Sequence, residues 1–204
     1  MMWKYGKKNS VEYNDQKKRV SSIALSDNGY LAVGYQYQNI GLLEFYDTSS
    51  IHSRPIYAQV STTLYGNGVA ITPDASKVVV GSPEESRVYV YEFNRGNLIS
   101  KQTISNKEIN SFGWKVAVSE TGQTLAISAP MARNDGGFTV GLIIIYILMD
   151  DEWVKLKDFA YGDNEDRKLG LGGVAVDEKL GRVHAIDKNG VVDAYQVSIY
   201  ALFE

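Results

Sequence analysis

Apolar residues recur along this chain in short runs, separated by clusters of Gly, Asp, Asn, Pro and Ser, the pattern of short strands joined by turns. Four runs share a central alanine: Ser22-Ile23-Ala24-Leu25, Gly68-Val69-Ala70-Ile71, Lys115-Val116-Ala117-Val118 and Gly173-Val174-Ala175-Val176. The alanines stand 46, 47 and 58 residues apart. A polar turn follows each run: Asp27-Asn28-Gly29, Pro73-Asp74-Ala75-Ser76, Glu120-Thr121-Gly122 and Glu178-Lys179-Leu180-Gly181. These residue types set the backbone geometry of tight turns between strands.

A second apolar strand then appears in every repeat, at Leu31 to Gly34, Val78 to Gly81, Leu125 to Ser128 and Val183 to Ile186. A third ends in aromatics, at Leu42 to Tyr46, Val88 to Tyr91, Leu142 to Tyr146 and Val191 to Tyr195. A more polar fourth fits Ile56 to Val60, Leu98 to Thr103 and Trp153 to Asp158. Four antiparallel strands per repeat of this length predict a β-propeller blade. Runs such as Val78-Val79-Val80 and Leu125-Ala126-Ile127 are apolar at consecutive positions, as burial of both sheet faces between neighbouring blades requires; a sandwich strand would alternate instead. The expected fold is therefore all-β, one four-bladed propeller domain over 1–204, with blades near 20–60, 67–104, 113–159 and 172–197. Insertions at Met131 to Gly137 and Gly162 to Lys168 account for the long third interval.

The fourth repeat stops short of an outer strand. Trp3-Lys4-Tyr5-Gly6-Lys7-Lys8 resembles Trp153-Val154-Lys155-Leu156-Lys157-Asp158 and precedes its alanine by a similar distance. Residues 2–8 are thus expected to complete the last blade and close the ring, removing the exposed sheet edge. Ser198 to Phe203 is the competing donor.

Composition narrows the function. Hydrophobic residues make up 44% of the chain, enough for a substantial core. The net charge of −3 offers no basic field for nucleic acid. Cysteine is absent, which rules out disulfides and thiolate metal sites. No apolar segment follows the charged N-terminus, so no signal peptide is read there, and Val140 to Met149 is about half a membrane span. A soluble protein is expected, with no particular compartment indicated.

The third repeat reads Phe112-Gly113-Trp114-Lys115-Val116-Ala117-Val118-Ser119, then Leu125 to Pro130 through Ser128-Ala129, then Gly141 to Tyr146. This resembles the FG-GAP repeat of integrin-α-type propellers. Tyr65-Gly66 with Gly81-Ser82-Pro83 is a weaker match, and Leu169-Gly170 weaker still. The resemblance implies a propeller with a binding role. It does not bring the family's Ca²⁺ loop, because the short turns here lack enough oxygen ligands. No cofactor or metal is expected.

Catalytic constellations are sparse. The two histidines, His52 and His184, are far apart in sequence, and His184 replaces small apolar residues at the centre of a second strand. The acids Asp135 and Asp163 suggest a propeller glycosidase, which needs two carboxyls about 5–10 Å apart in a concave pocket. Charge runs at strand connections, such as Asp150-Asp151-Glu152 and Asp163-Asn164-Glu165-Asp166, are otherwise solvated faces. Glycine-rich Leu169 to Gly173 has no Walker lysine and reads as turn geometry.

A non-enzymatic binding module is the expected function, with loops on one propeller face meeting a protein or glycan. The candidate ligand-binding residues are Tyr35, Tyr37 and Asn39 in one second-to-third-strand connection, and Arg133 and Asp135 in another. Aromatics interleaved with amides combine contact area with adaptable hydrogen bonding. The long apolar strand Val140 to Met149 suggests either core burial or a homo-oligomeric contact, as in a structural component of a virion or appendage.

Overall fold

The computed structural model describes residues 19–37, 40–49, 55–61, 63–163 and 166–196. All regular structure among them is strand. Blade 1 comprises β1 (Arg19–Leu25), β2 (Tyr30–Tyr37), β3 (Ile40–Asp47) and β4 (Tyr57–Ser61); blade 2 comprises β5 (Gly68–Ile71), β6 (Lys77–Ser82), β7 (Arg87–Asn94) and β8 (Asn97–Ser105). Blade 3 contains β9 (Val116–Val118), β10 (Thr124–Ala129), β11 (Leu142–Met149) and β12 (Glu152–Tyr161), and blade 4 contains β13 (Gly173–Asp177), β14 (Arg182–Ile186) and β15 (Val192–Gln196). Within each sheet the strands are antiparallel and pair in chain order. The chain is a four-bladed β-propeller. The expected closing strand at residues 2–8, and the competing Ser198 to Phe203, lie outside the described residues.

One device shapes the first turn of every blade. A side-chain oxygen two residues beyond the repeat alanine accepts a backbone N–H across the turn. Ser26 Oγ accepts from Tyr30 at 2.9 Å, Thr72 Oγ1 from Lys77 at 3.0 Å and Ser119 Oγ from Thr124 at 3.0 Å. In blade 4 the carboxylate of Asp177 accepts from Leu180 N at 3.0 Å. Ser, Thr and Asp suit this role because their short side chains compete for local backbone donors.

Alternation within each strand splits the core into layers between blades. On β6, Val78 and Val80 join Ala32, Leu43 and Phe45 of blade 1, while Val79 turns to Phe112, Leu125 and Ile127 of blade 3. On β11, Ile144 and Tyr146 join that second layer, whereas Ile143 and Ile145 meet Val183 and Ala185 of blade 4. Strands buried on both faces explain the consecutive apolar positions. The run from Val140 to Ile147 is buried within these layers, and only Met149 at its end is exposed.

The junctions between blades also bring backbones together. A Cβ on Gly34 would lie 1.9 Å from the Gly66 carbonyl oxygen, and one on Gly81 would lie 2.0 Å from that of Gly113. Gly66 and Gly113 themselves have φ of +81° and +89° and follow the buried Tyr65 and Phe112. The aromatic-Gly pair therefore seats a ring in the interblade layer, while the glycine turns the chain where no Cβ fits. Leu169-Gly170 repeats the arrangement at the third junction, against Ser128.

The repeat alanines do not share one environment. Ala70 is buried, Ala24 and Ala117 are half-buried, and Ala175 is exposed. His184, paired with Ala175 and Ala194, is half-buried on the flank of blade 4 that faces away from blade 3.

Candidate functional site

The longest connections rise from one face of blades 3 and 4. After Pro130, buried Ala132 accepts backbone bonds from Val140 and Gly141, each at 3.1 Å, which closes the base of a hairpin. Arg133 bridges Thr139, and Asn134 closes the tip by accepting Phe138 N at 3.0 Å and Gly137 N at 2.8 Å. The glycines Gly136 and Gly137 permit that tip, since Gly137 has φ of +81°.

The loop after β12 is stitched to this hairpin. Asp166 N donates to Thr139 O at 2.8 Å, and Leu169 N to Val140 O at 2.9 Å. Lys188 N in the last blade's second turn donates to Arg167 O at 3.2 Å. Hairpin 131–139, residues 166–169 of the following loop and turn 187–190 thus form one ridge.

Arg167 holds the ridge together electrostatically. Its Nη1 meets Asp163 at 2.5 Å, its Nε meets Asp187 at 3.0 Å, and its Nη2 meets Asp193. The hydrogen bonds to Asp163 and Asp193 raise the guanidinium's affinity for its proton. Burial of Asp187 opposes its ionisation, but bonds from Val191 N, Arg167 and Asn189 N outweigh it and hold the carboxylate below the usual range. Burial, with a bond to Asp193, pushes the Tyr195 hydroxyl up to about 12. Lys188, from the turn of the last blade, and Lys168, on the same loop, flank Asp166 and hold its carboxyl low.

What remains accessible on the ridge is mixed in character. Met131, Phe138 and Tyr161 are exposed, as are Arg133, Asp135 and Asp163. Of the residues singled out in the sequence, Arg133 and Asp135 belong to this ridge. Tyr35 is half-buried in β2 opposite Leu42, and Tyr37 pairs with Ile40 at the end of the same strand. Both stand on blade 1, with blade 2 intervening, so the two groups do not form one cluster. Asn39 lies outside the described residues. Phe138 and Tyr161 were not anticipated; an aromatic directly after Gly136-Gly137 in a long connection was the available signal.

Asp135 and Asp163 are the two acids considered for glycoside hydrolysis. Asp135 is exposed at the hairpin tip, and Asp163 is exposed and engaged by Arg167. Among the described residues no group of three or more His, Asp or Glu side chains is placed to hold a metal ion. None of the described residues forms a helix long and apolar enough to cross a membrane.

A second polar feature lines the propeller axis. Lys115 Nζ donates to the carbonyls of Asn67 at 2.9 Å and Ser21 at 3.2 Å, and burial lowers its affinity for a proton.

No protein-family model matches the chain, and no curated protein matches its sequence. Solved structures do resemble it. The β-propeller domain of Cps50 (Swd1) from Myceliophteria thermophila superposes over 89% of this chain with a TM-score of 0.62 and 14% identity. Sqt1 from Saccharomyces cerevisiae covers 90% at 0.61 and 13%, and a putative 6-phosphogluconolactonase from Bacteroides uniformis covers 90% at 0.64 and 13%. This chain spans 55%, 46% and 52% of those three, about half of each. At such identity the likeness establishes the propeller fold.

Proposed function

We propose that the chain is a non-enzymatic recognition module whose ridge on blades 3 and 4 docks a protein partner. The observation that carries this reading is the exposure of Met131, Phe138 and Tyr161 on a support tied down by Arg167. Loops stitched to a rigid scaffold lose little conformational entropy on binding. Exposed aromatic and methionine side chains beside an arginine are the composition of interaction hot spots, with Asp135 and Asp163 as a polar rim. A protein surface suits this mixture better than a glycan, which favours a recess with several convergent polar groups.

The FG-GAP-like reading is compatible with this role: its aromatic-Gly pairs build the scaffold and its turns leave the ridge free to vary. Tyr35 and Tyr37 stand apart from it in strand β2 of blade 1.

Panning a random-peptide display library against the chain tests the proposal. Enriched peptides are expected to lose at least about tenfold in affinity on Phe138→Ala combined with Tyr161→Ala, a change of about 1.4 kcal/mol. Both side chains are exposed, so thermal stability serves as the folding control. Peptides that bind the double variant unchanged, or selective retention of oligosaccharides on a glycan array instead, would overturn the assignment.

A further inference from the structure

The propeller axis holds a cation that no acid among the described residues neutralises. The four inner strands place Ser22, Gly68, Lys115 and Gly173 at one repeat position, so a single long side chain stands among three small residues. Lys115 reaches from blade 3 to blades 1 and 2, where its ammonium donates to the carbonyls of Ser21 and Asn67. An ammonium has three N–H donors, and these carbonyls occupy two of them. They accept hydrogen bonds but bring no charge. Elsewhere the chain pairs its buried cations with acids: Lys77 with Asp151 at 2.5 Å, and Arg167 with Asp163, Asp187 and Asp193. Lys115 has no such carboxylate among the described residues, and burial alone acts on its affinity for a proton. A half-buried charge in this position has lost hydration without a Coulombic return, so an anion arriving there gains more than at an exposed lysine.

The ammonium adjoins the ridge. Lys115 N donates to Ser128 Oγ at 3.0 Å and Ser128 N to Lys115 O at 2.9 Å, just before hairpin 131–139. On the side of blade 4, Trp114 Nε1 donates to Leu171 O at 3.0 Å, and Leu171 N to Lys168 O at 3.1 Å. Two parts of the ridge thus run into the rim of the axis. That rim is rigid: Ser21 Oγ donates to Gly66 O at 2.7 Å and Asn67 Nδ2 to Trp114 O at 2.8 Å, while Gly172 occupies the same position in blade 4. The residues whose carbonyls anchor Lys115 are therefore themselves fixed between blades, which prepares the site before any ligand arrives.

We propose that Lys115 receives a carboxylate at the mouth of the axis, contributed by the protein partner that docks on the ridge. A single positive charge with one remaining N–H matches a monoanion, and the two fixed carbonyls disfavour the denser charge of a phosphate. The source of the carboxylate rests on the ridge reading; the site itself does not.

Nuclear magnetic resonance of the wild type, labelled at lysine Cε, tests the site with acetate as the probe. Lys115 is identified by the resonance missing from Lys115→Met. Acetate is expected to raise the pH at which Lys115 titrates, relative to chloride at equal ionic strength, while exposed lysines do not respond. A Lys115 that responds no more than they do would overturn the inference. The source is tested with the peptides enriched on the chain, resynthesised with an amidated C-terminus or with each Asp and Glu replaced by its amide. Blocking one carboxylate is expected to weaken binding to the wild type at least about tenfold and to change nothing further on Lys115→Met. Peptides indifferent to every blocked carboxylate would overturn the partner's contribution. Loss of affinity on Phe138→Ala with Tyr161→Ala but not on Lys115→Met would sink the axial site and keep the ridge; the reverse pattern would keep the site and sink the ridge.

Discussion

The junction between blades 2 and 3 and the seam beyond blade 4 are the same place in two repeats, built differently. At the junction, Gly81 meets the Gly113 backbone, Phe112 fills the layer, and Asn67 bonds across to Trp114. At the seam, Ile186 replaces the glycine, Gly172 replaces the bonding side chain, and the apolar residues of β1 lie exposed. A junction inside one chain tolerates backbone contact with no room for a methyl, because its two sides fold together.

Substitution at the junction is expected to have the largest effect. Gly81→Ala places a methyl 2.0 Å from the Gly113 carbonyl oxygen, with backbone on both sides. A loss above about 4 kcal/mol in urea unfolding is expected, or no folded protein at all. Alanine accepted there with a loss under about 1 kcal/mol would show that the blades shift freely, erasing the contrast with the seam.

The junction of blades 3 and 4 sharpens the comparison through pH. A carboxylate held below its ordinary range contributes stability that is fully present above the unfolded value near 4 and is lost as pH falls through the lower folded value. Asp187 and Asp166 are of this kind. The thermal midpoint of the wild type should therefore fall as pH drops below about 4. Asp187→Asn should lower the midpoint at neutral pH and flatten that acid dependence. Arg167→Ala, which leaves the buried Asp187 without its cation, should cost roughly 5–10 °C at neutral pH. An acid profile unchanged by Asp187→Asn would show that the Arg167 cluster does not tie blade 4 to the ridge.

The hydrogen bonds along the axis are expected to matter least. Asn67→Ala and Trp114→Phe each remove one interblade donor and should cost about 1–2 kcal/mol, the usual net value of a bond to a group left with reduced solvent access. Ile23→Ala at the seam should change the stability of a single chain by less than about 0.5 kcal/mol.

Particular residues show what could be read from the chain before its coordinates. The repeat alanines, polar turns such as Asp27-Asn28-Gly29 and Glu120-Thr121-Gly122, and the consecutive valines of β6 sufficed for four blades. All of these act locally or through strand periodicity. Arg133 and Asp135 were legible as solvent-exposed loop residues because they stand in the longest second-to-third-strand connection. Phe138 and Tyr161 were not, since whether an aromatic in a loop folds inward or remains exposed depends on what the neighbouring loop covers. Grouping Tyr35 and Tyr37 with Arg133 overreached: they share a face but not a blade.

By itself the sequence determined the class of fold, the number of blades and the identity of the turns, because strand alternation and turn chemistry are properties of a few adjacent residues. Tertiary structure alone decided that Arg167 gathers Asp163, Asp187 and Asp193, and that hairpin 131–139, residues 166–169 and turn 187–190 form one ridge. Those outcomes depend on contacts between segments distant in the chain and on the angle between successive blades, which no local pattern encodes.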